Sequence, residues 1–344
     1  MPWFRLVAHL FPPTLDPDPP PMALLSLIVA LLLEQFRPID PGGGVFAMFA
    51  RYTDAIGRNF NAGKRKHGVI GWLLAVVPIV LLANLAFYAL HELNLLLAWA
   101  WTIGVLYLTM GFRQFSHAFS AVLEALRAGR FDDARALLSP WRNEPADELT
   151  QSEIAKVSIE QGLVGAHGHV FGVIAWFVFL PAVFGSLLPG TLGTLLSGPG
   201  GALLYRLSTV LSERWGRQGG DAFAAFGSFA IDAFRLLDWV PTRLTALSFA
   251  IVGDFEDAVY CWRSQAAGWL DPQAGIILAS GAGAIGVRLG DTLHANGTVT
   301  FRPELGLGDE ADLEHMQSAV GLIWRALVLW LLLIGLMTVA NWVG

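Results

Sequence analysis

Apolar runs of membrane-spanning length recur along the chain, separated by stretches that carry arginine and lysine. A helix needs about 20 apolar residues to cross the hydrocarbon of a bilayer. Val69–Leu90, Leu93–Met110, Val170–Leu188 and Ala319–Val343 are the strong spans, with Pro181 inside the third and Arg325 near the start of the fourth. Met22–Phe36 is shorter and suits a tilted or half-inserted helix. Leu192–Leu211 and Trp239–Val252 are weaker, because ionisable or helix-breaking residues interrupt them. Ile276–Leu289 is short and glycine-rich, which predicts a re-entrant segment or a helix packed closely against others.

Between the second and third strong spans the period changes. Phe115, Phe119, Val122, Leu126 and Leu138 recur at helical spacing across Gln114–Leu138. Gly129 is placed to cap one helix and Phe131 to restart another. Asn143–Glu148 reads as a loop, and Thr150-Gln-Ser-Glu153 is a capping-box pattern opening a helix over Gln151–Gly162. No alternating strand pattern and no repeat of 20–50 residues is visible. The expected fold is all-α: a polytopic transmembrane helical bundle over residues 22–344, with a small cytoplasmic helical insertion over about 113–166.

Charge placement orients it. Arg51, Arg58, Lys64, Arg65 and Lys66 precede the first strong span, and Arg113, Arg127, Arg130, Arg135, Arg142 and Lys156 follow the second. The turn between those spans has neither Lys nor Arg. Positively charged loops stay on the cytoplasmic side, so the two spans form a hairpin with both ends inside. The stretches Arg206–Arg235 and Arg263–Arg302 are placed inside by the same rule. Residues 1–21 are proline-rich and offer no apolar helical face, so they are expected to be a disordered or artefactual extension ahead of Met22.

Composition agrees with an integral membrane protein. The chain is 54% hydrophobic and 15% charged, against about 25% charged in soluble domains. A net charge of −6 gives no nucleic-acid footprint, and the single cysteine, Cys261, excludes an intrachain disulfide or a cysteine-based metal cluster.

The chemistry is expected where ionisable groups enter apolar sequence, because such groups are costly there. Leu236–Gly253 carries Asp238, Pro241 and Arg243, and two readings stand: a functional site where Pro241, lacking the helical N–H donor, bends the segment, or an interfacial helix start with Asp238 near the N-terminus, Trp239 at the headgroups and Pro241 in the first turn. Arg206, Arg243 and Arg288 each end or interrupt an apolar stretch, and two readings stand: anion contacts converging on one cytoplasmic pocket, or three separate arginines reaching lipid phosphate. Gly198-Pro-Gly-Gly201 precedes a helix, so Gly200 and Gly201 either present N–H groups to a phosphate or form a plain loop. His167 and His169 are two residues apart, a poor spacing for one metal, and read as interfacial polar residues. Asp254, Glu256 and Asp257 suit either a magnesium ion or a turn leading into a helix.

Taken together, Gly198–Arg206, Asp238-Trp-Val-Pro-Thr-Arg-Leu244, Gly281–Gly290, Arg302-Pro303 and Leu305-Gly306, with Phe119–Leu138 as a helix pair, resemble the CobD/CbiB family of cobalamin-biosynthesis membrane proteins. The resemblance runs from about Met22 to the C-terminus. It implies an adenosylcobinamide-phosphate synthase, which joins a propionate of cobyric acid to aminopropanol phosphate with ATP and magnesium. On that reading Arg206, Arg243 and Arg288 contact anions, and Glu160 and Asp238 serve as metal or amine partners; no metal ligand set is assigned. Several family acids are replaced here: Gln161–Gly172 lacks the Glu-Asn and Asp that follow Ile159-Glu160, and Phe234-Arg235 stands where an Asp pair precedes Trp-Val-Pro. The AmpE-like branch, similar in fold, lacks the same acids and keeps Leu-Asp-Trp-Val-Pro-x-Arg-Leu, as Leu237–Leu244 does. It implies the alternative: a non-enzymatic inner-membrane protein that modulates β-lactamase induction.

Overall fold

The computed structural model describes residues 21–36, 44–187, 198–217, 220–295 and 297–343. The expectations for residues 1–20, and for the first part of Leu192–Leu211, fall outside these. The chain divides into two compact units. One comprises the residues up to Gly111, then Gly172–Asp238 and the end from Ile334; the other comprises Phe112–Phe171 and Trp239–Leu333. Both are built from helices, and the fold is all-α.

In the first unit α1 (Pro21–Phe36), α2 (Gly44–Phe60), α3 (Arg65–Leu93) and α4 (Leu95–Thr109) follow one another. Asn94 makes the turn between α3 and α4, its side chain accepting from Leu96 N, so the two apolar helices form the expected hairpin. At 15 residues α4 is about 22 Å long, shorter than the span expected over Leu93–Met110. The unit continues with α8 (Gly172–Leu187), α9 (Gly200–Leu211), a π-helical turn at Ser212–Arg217 and the first part of α10 (Gly220–Val252). Val76 and Val80 of α3, Leu211 of α9, Trp215 and Phe226 pack into its apolar core.

The second unit opens with α5 (Phe112–Arg127) and α6 (Phe131–Arg142), joined through Gly129 at φ +70. Then α7 (Gln151–Ala166) runs through a π-helical turn, His167–Phe171, directly into α8. The helix expected to stop at Gly162 and the span expected to start at Val170 are therefore one helical run. Apolar Leu163, Val164 and Ala166 give it no reason to break. The remainder is the rest of α10, then α11 (Phe255–Gln265), α12 (Pro272–Ile285), four short strands and α13 (Leu313–Val343).

Among the described residues, Arg65–Leu93, Gln151–Ala182 and Leu313–Ala340 are long and apolar enough to cross a membrane, and the chain is membrane-associated. Their apolar side chains face outward as well as inward: Leu82 on α3 and Leu332 and Leu336 on α13 are well exposed. That is the mark of helices whose outer face meets lipid.

Three features go beyond the sequence reading. Arg206–Arg235, placed by its charge alone, is helical where described: the end of α9, a π-helical turn and most of α10's first half. Pro241 lies inside α10 without ending it. A proline leaves the carbonyl four residues earlier without its helical donor. Here that carbonyl, Leu237 O, accepts the Trp176 indole N–H at 2.9 Å. The same solution serves Pro78 inside α3, where Tyr52 Oη donates to Leu74 O at 2.8 Å.

The third feature is the glycine-rich C-terminal motif. Helix α12 stops at Gly286, which takes the left-handed conformation at φ 67, so Arg288 is not helical. It lies on β1 (Val287–Arg288), paired in parallel with β4 (Asp309–Glu310). Between them β2 (Leu293–Ala295) and β3 (Thr298–Thr300) form an antiparallel hairpin. Strands of two or three residues are too short to show an alternating pattern.

Candidate functional site

A polar cluster of the second unit lies between α7 and the hairpin segment. Thr150 caps α7 in a full capping box with Glu153. Glu153, Lys156 and Glu160 follow at intervals of three and four, which puts them on one helix face. All three are buried. Each meets the segment after α12 in reverse order. Gly297 N donates to both carboxylate oxygens of Glu148, at 2.9 and 2.8 Å. His294 N donates to Glu153 Oε1 at 3.0 Å, and its ring Nδ1 lies 2.8 Å from the same oxygen. Lys156 Nζ is 3.9 Å from Asp291 Oδ2. Gly290 N donates to Glu160 Oε1 at 2.9 Å.

Arg302 completes the cluster. Its Nη1 donates to Glu160 Oε2 at 2.7 Å and its Nη2 to Oε1 at 3.0 Å, a two-point fork on one carboxylate. Nη2 also donates to Gly290 O at 3.0 Å, and the guanidinium lies 5.4 Å from the Trp269 ring centre. A carboxylate this buried is tolerated only when paired and hydrogen-bonded, and Glu160 is both.

The first unit holds the other acidic candidate. Asp238 is buried on α10 and accepts from Tyr205 Oη at 2.8 Å. Tyr205 in turn fills the space left by Gly172, where a Cβ would come within 2.1 Å of its ring. Next to it on α9, Arg206 has a buried Nε without a hydrogen-bond partner among the described residues, and Glu213 and Glu34 supply the opposite charge around it. The glycine turn before α9 is spoken for: Gly200 N donates to Asn84 Oδ1 at 2.8 Å, so this N–H is not offered to a phosphate. Gly201 has a packing role. A Cβ there would lie 2.0 Å from Trp176 O, so the glycine lets α9 approach α8.

The remaining arginines have their own partners. Arg243 donates from Nη1 to Trp239 O at 2.9 Å, and its guanidinium carbon stacks 3.9 Å above the Trp239 ring. Arg288 is half exposed and faces Glu304 at 3.8 Å. His167 Nδ1 is hydrogen-bonded with Thr245 Oγ1 at 3.0 Å, whereas His169 Nδ1 lies 3.0 Å from Gly165 O, so the two rings turn to separate partners. Asp254 caps α11, accepting from Asp257 N at 3.0 Å.

Comparison with known proteins fits these motifs. The family described as CobD/Cbib protein matches residues 24–323. The chain belongs to the CobD/CbiB family. It is 33% identical over 316 residues to the protein named cobalamin biosynthesis protein CobD of Stutzerimonas stutzeri strain A1501, covering 90% of this chain and 96% of that one. The protein of the same name from Chromobacterium violaceum is 30% identical, covering 89% and 94%. The one from Mycobacterium tuberculosis H37Rv is 36% identical over 100 residues, 27% of this chain. No solved structure matches.

The CobD/CbiB resemblance brings in magnesium, and the donor set can be tested against it. Magnesium takes oxygen ligands, commonly one or two carboxylates plus phosphate oxygens. Both Glu160 oxygens are filled by Arg302 and Gly290 N, and Asp238 Oδ1 by Tyr205. Among the described residues no three of His, Cys, Asp and Glu gather as a metal site. Glu160 therefore does not fit as a resident metal ligand; it is an anchor for Arg302. Sequence reasoning missed Arg302, Gly290 and Tyr205 as partners. The available signal was physical: a glutamate in an apolar helix needs a cation, and Arg302-Pro303 belongs to a motif already quoted for the family.

Proposed function

We propose that this chain acts in cobalamin biosynthesis at the bacterial inner membrane, as a multi-pass protein handling a corrinoid carboxylate, and that its reaction is amide formation of the adenosylcobinamide-phosphate synthase kind. The observation that carries this reading is the meeting of three separate family motifs in one cluster: Glu160, the Gly281–Gly290 stretch and Arg302 join at Glu160 Oε1 and Oε2. The full-length relatives from Stutzerimonas and Chromobacterium carry the cobalamin name, which favours this reading over the AmpE-like one. ATP, magnesium, cobyric acid and aminopropanol phosphate enter as the co-substrates that such a reaction requires. Arg206 is the arginine best suited to an anion, because its buried Nε lacks a hydrogen bond among the described residues, whereas Arg243 and Arg288 are held by Trp239 and Glu304.

The test is complementation. A cobalamin auxotroph lacking its own CobD/CbiB protein is supplied with this chain and with cobyric acid. Restored growth, with a cobinamide-type corrinoid in extracts, is expected. Membrane-inserted protein at normal levels without any such product would overturn the reading.

A further inference from the structure

The second half of α10 has two unlike sides. Thr242, Thr245, Ala246, Phe249 and Ala250 are buried, and Thr245 Oγ1 lies 3.0 Å from His167 Nδ1. On the other side Trp239, Arg243, Leu247 and Ile251 recur every fourth residue, so helical geometry lines them up in one row. Trp239, Leu247 and Ile251 are 53%, 41% and 54% exposed. A single cation therefore stands in an exposed apolar row.

The guanidinium of Arg243 carries five N–H donors. One of them reaches Trp239 O, and the group stacks over the Trp239 ring. Among the described residues no carboxylate pairs with it. The bond and the stack draw the charged head back one helical turn, toward Trp239. Its depth follows from α13. Trp330 Nε1 donates to Ser248 Oγ at 2.6 Å, and Trp330 lies within Leu313–Ala340, which is long and apolar enough to cross a membrane. Ser248 is thus at hydrocarbon depth. Trp239 stands nine residues before it, about 13 Å along the helix. Half of a hydrocarbon core is about 15 Å. Trp239 and the head of Arg243 therefore come out near the headgroups, where indole rings collect and arginines extend to phosphate.

We propose that Arg243 and Trp239 form a binding site for the phosphate of an anionic phospholipid, with Leu247 and Ile251 against its acyl chain. The fork of open N–H donors matches two phosphate oxygens. Because no carboxylate pairs with Arg243, the site carries a net positive charge and favours a headgroup without a cation of its own. The stack fixes the guanidinium in advance, so little side-chain freedom is lost on binding. The proposal needs only that the chain is membrane-associated, so it stands or falls separately from the cobalamin reading.

Thermal transitions of the delipidated full chain in dodecyl maltoside, titrated with phosphatidylglycerol or with phosphatidylcholine, test this, together with native mass spectrometry of retained lipid. Phosphatidylglycerol is expected to stabilise the unsubstituted chain more and to be retained better. Arg243→Gln should weaken phosphatidylglycerol retention about fivefold and erase the preference. Arg243→Lys should keep part of it. Arg130→Gln, at an exposed arginine paired with Asp133, should keep all of it. No preference in the unsubstituted chain, or an equal preference in Arg243→Gln, would overturn the proposal. So would inorganic phosphate stabilising the chain as well as the lipid does, since the site would then take a free anion. A change in self-association alone would assign the row to a second copy and overturn it too.

Discussion

Glu160 and Arg302 lie 142 residues apart in sequence and meet in a two-point ion pair, Nη1–Oε2 at 2.7 Å and Nη2–Oε1 at 3.0 Å. Their side chains are 8% and 20% exposed. Removing one partner strands the other in a poor solvent, at a cost of about 3 kcal/mol. Glu160→Gln and Arg302→Met should each lower the thermal transition of the solubilised protein clearly. The double variant should lose less than the sum, because neither charge is then left alone. Arg302→Lys should rescue poorly, since an ammonium cannot reproduce the fork. Additive losses in the double-mutant cycle would show that the pair is not coupled.

What the sequence showed of this site follows the distance over which each feature acts. Thr150 and Glu153 close their capping box within one helical turn, and Gly129 separates α5 from α6 locally, so both were legible. The long apolar helices were legible from length alone. Arg302 was not legible as the partner of Glu160, because it belongs to an irregular segment whose path is set by Gly286 and Gly290, both at positive φ. The strand position of Arg288 was hidden for the same reason: one left-handed glycine, Gly286, ends α12 just before it. That α10 runs on through Pro241 was not legible, because the donor that replaces the missing N–H, the Trp176 indole, comes from another helix.

Gly201 separates packing from ligand binding. A Cβ at this position would lie 2.0 Å from Trp176 O, a backbone atom that cannot rotate away. Gly201→Ala should therefore force α9 from α8, with a loss of about 2 kcal/mol or more. The measurement is folded yield and thermal transition without any ligand. A normally stable variant with altered phosphate affinity would restore the anion-binding reading of this turn.

The start of α13 carries a pH-dependent cap. Asp312 Oδ1 accepts from His315 N at 2.9 Å and lies 2.7 Å from His315 Nδ1. The backbone hydrogen bond from His315 holds the Asp312 carboxyl below its usual range. A lowered carboxylate pKa adds stability above the unfolded value of about 3.9 and loses it as pH falls through the folded one. Because the side chain is 56% exposed, the effect is small. Asp312→Ala should cost about 0.5–1 kcal/mol at pH 7, and much less near pH 3. Equal costs at both pH values would show that the charged cap does not contribute.

Cys261 is buried on α11, and burial pushes its thiol up to about 11. The thiolate is the reactive form, so the native chain should resist maleimide at pH 7 to 8.5 and react fully only when unfolded. A raised thiol pKa favours the folded state while the group stays protonated. That contribution is whole below the ordinary value of 9.0 and is lost as pH rises through about 11. Rapid labelling of native protein would show that α11 opens.

Trp176 supplies the hydrogen bond that Pro241 withholds, and this makes the two residues separable by experiment. Trp176→Phe keeps most of the apolar contact but removes the indole N–H, leaving Leu237 O without that donor inside α10. A part-buried carbonyl left unsatisfied costs about 1 kcal/mol or more. Pro241→Ala returns an N–H four residues after Leu237, so the helix can satisfy the carbonyl itself. Trp176→Phe should therefore be clearly destabilising in the natural chain and close to neutral in the Pro241→Ala background. The double-mutant cycle, read as thermal transitions in detergent, should give a coupling of at least about 1 kcal/mol. Were Trp176→Phe equally costly in both backgrounds, its role would be packing, and the intact passage of α10 through Pro241 would need another cause.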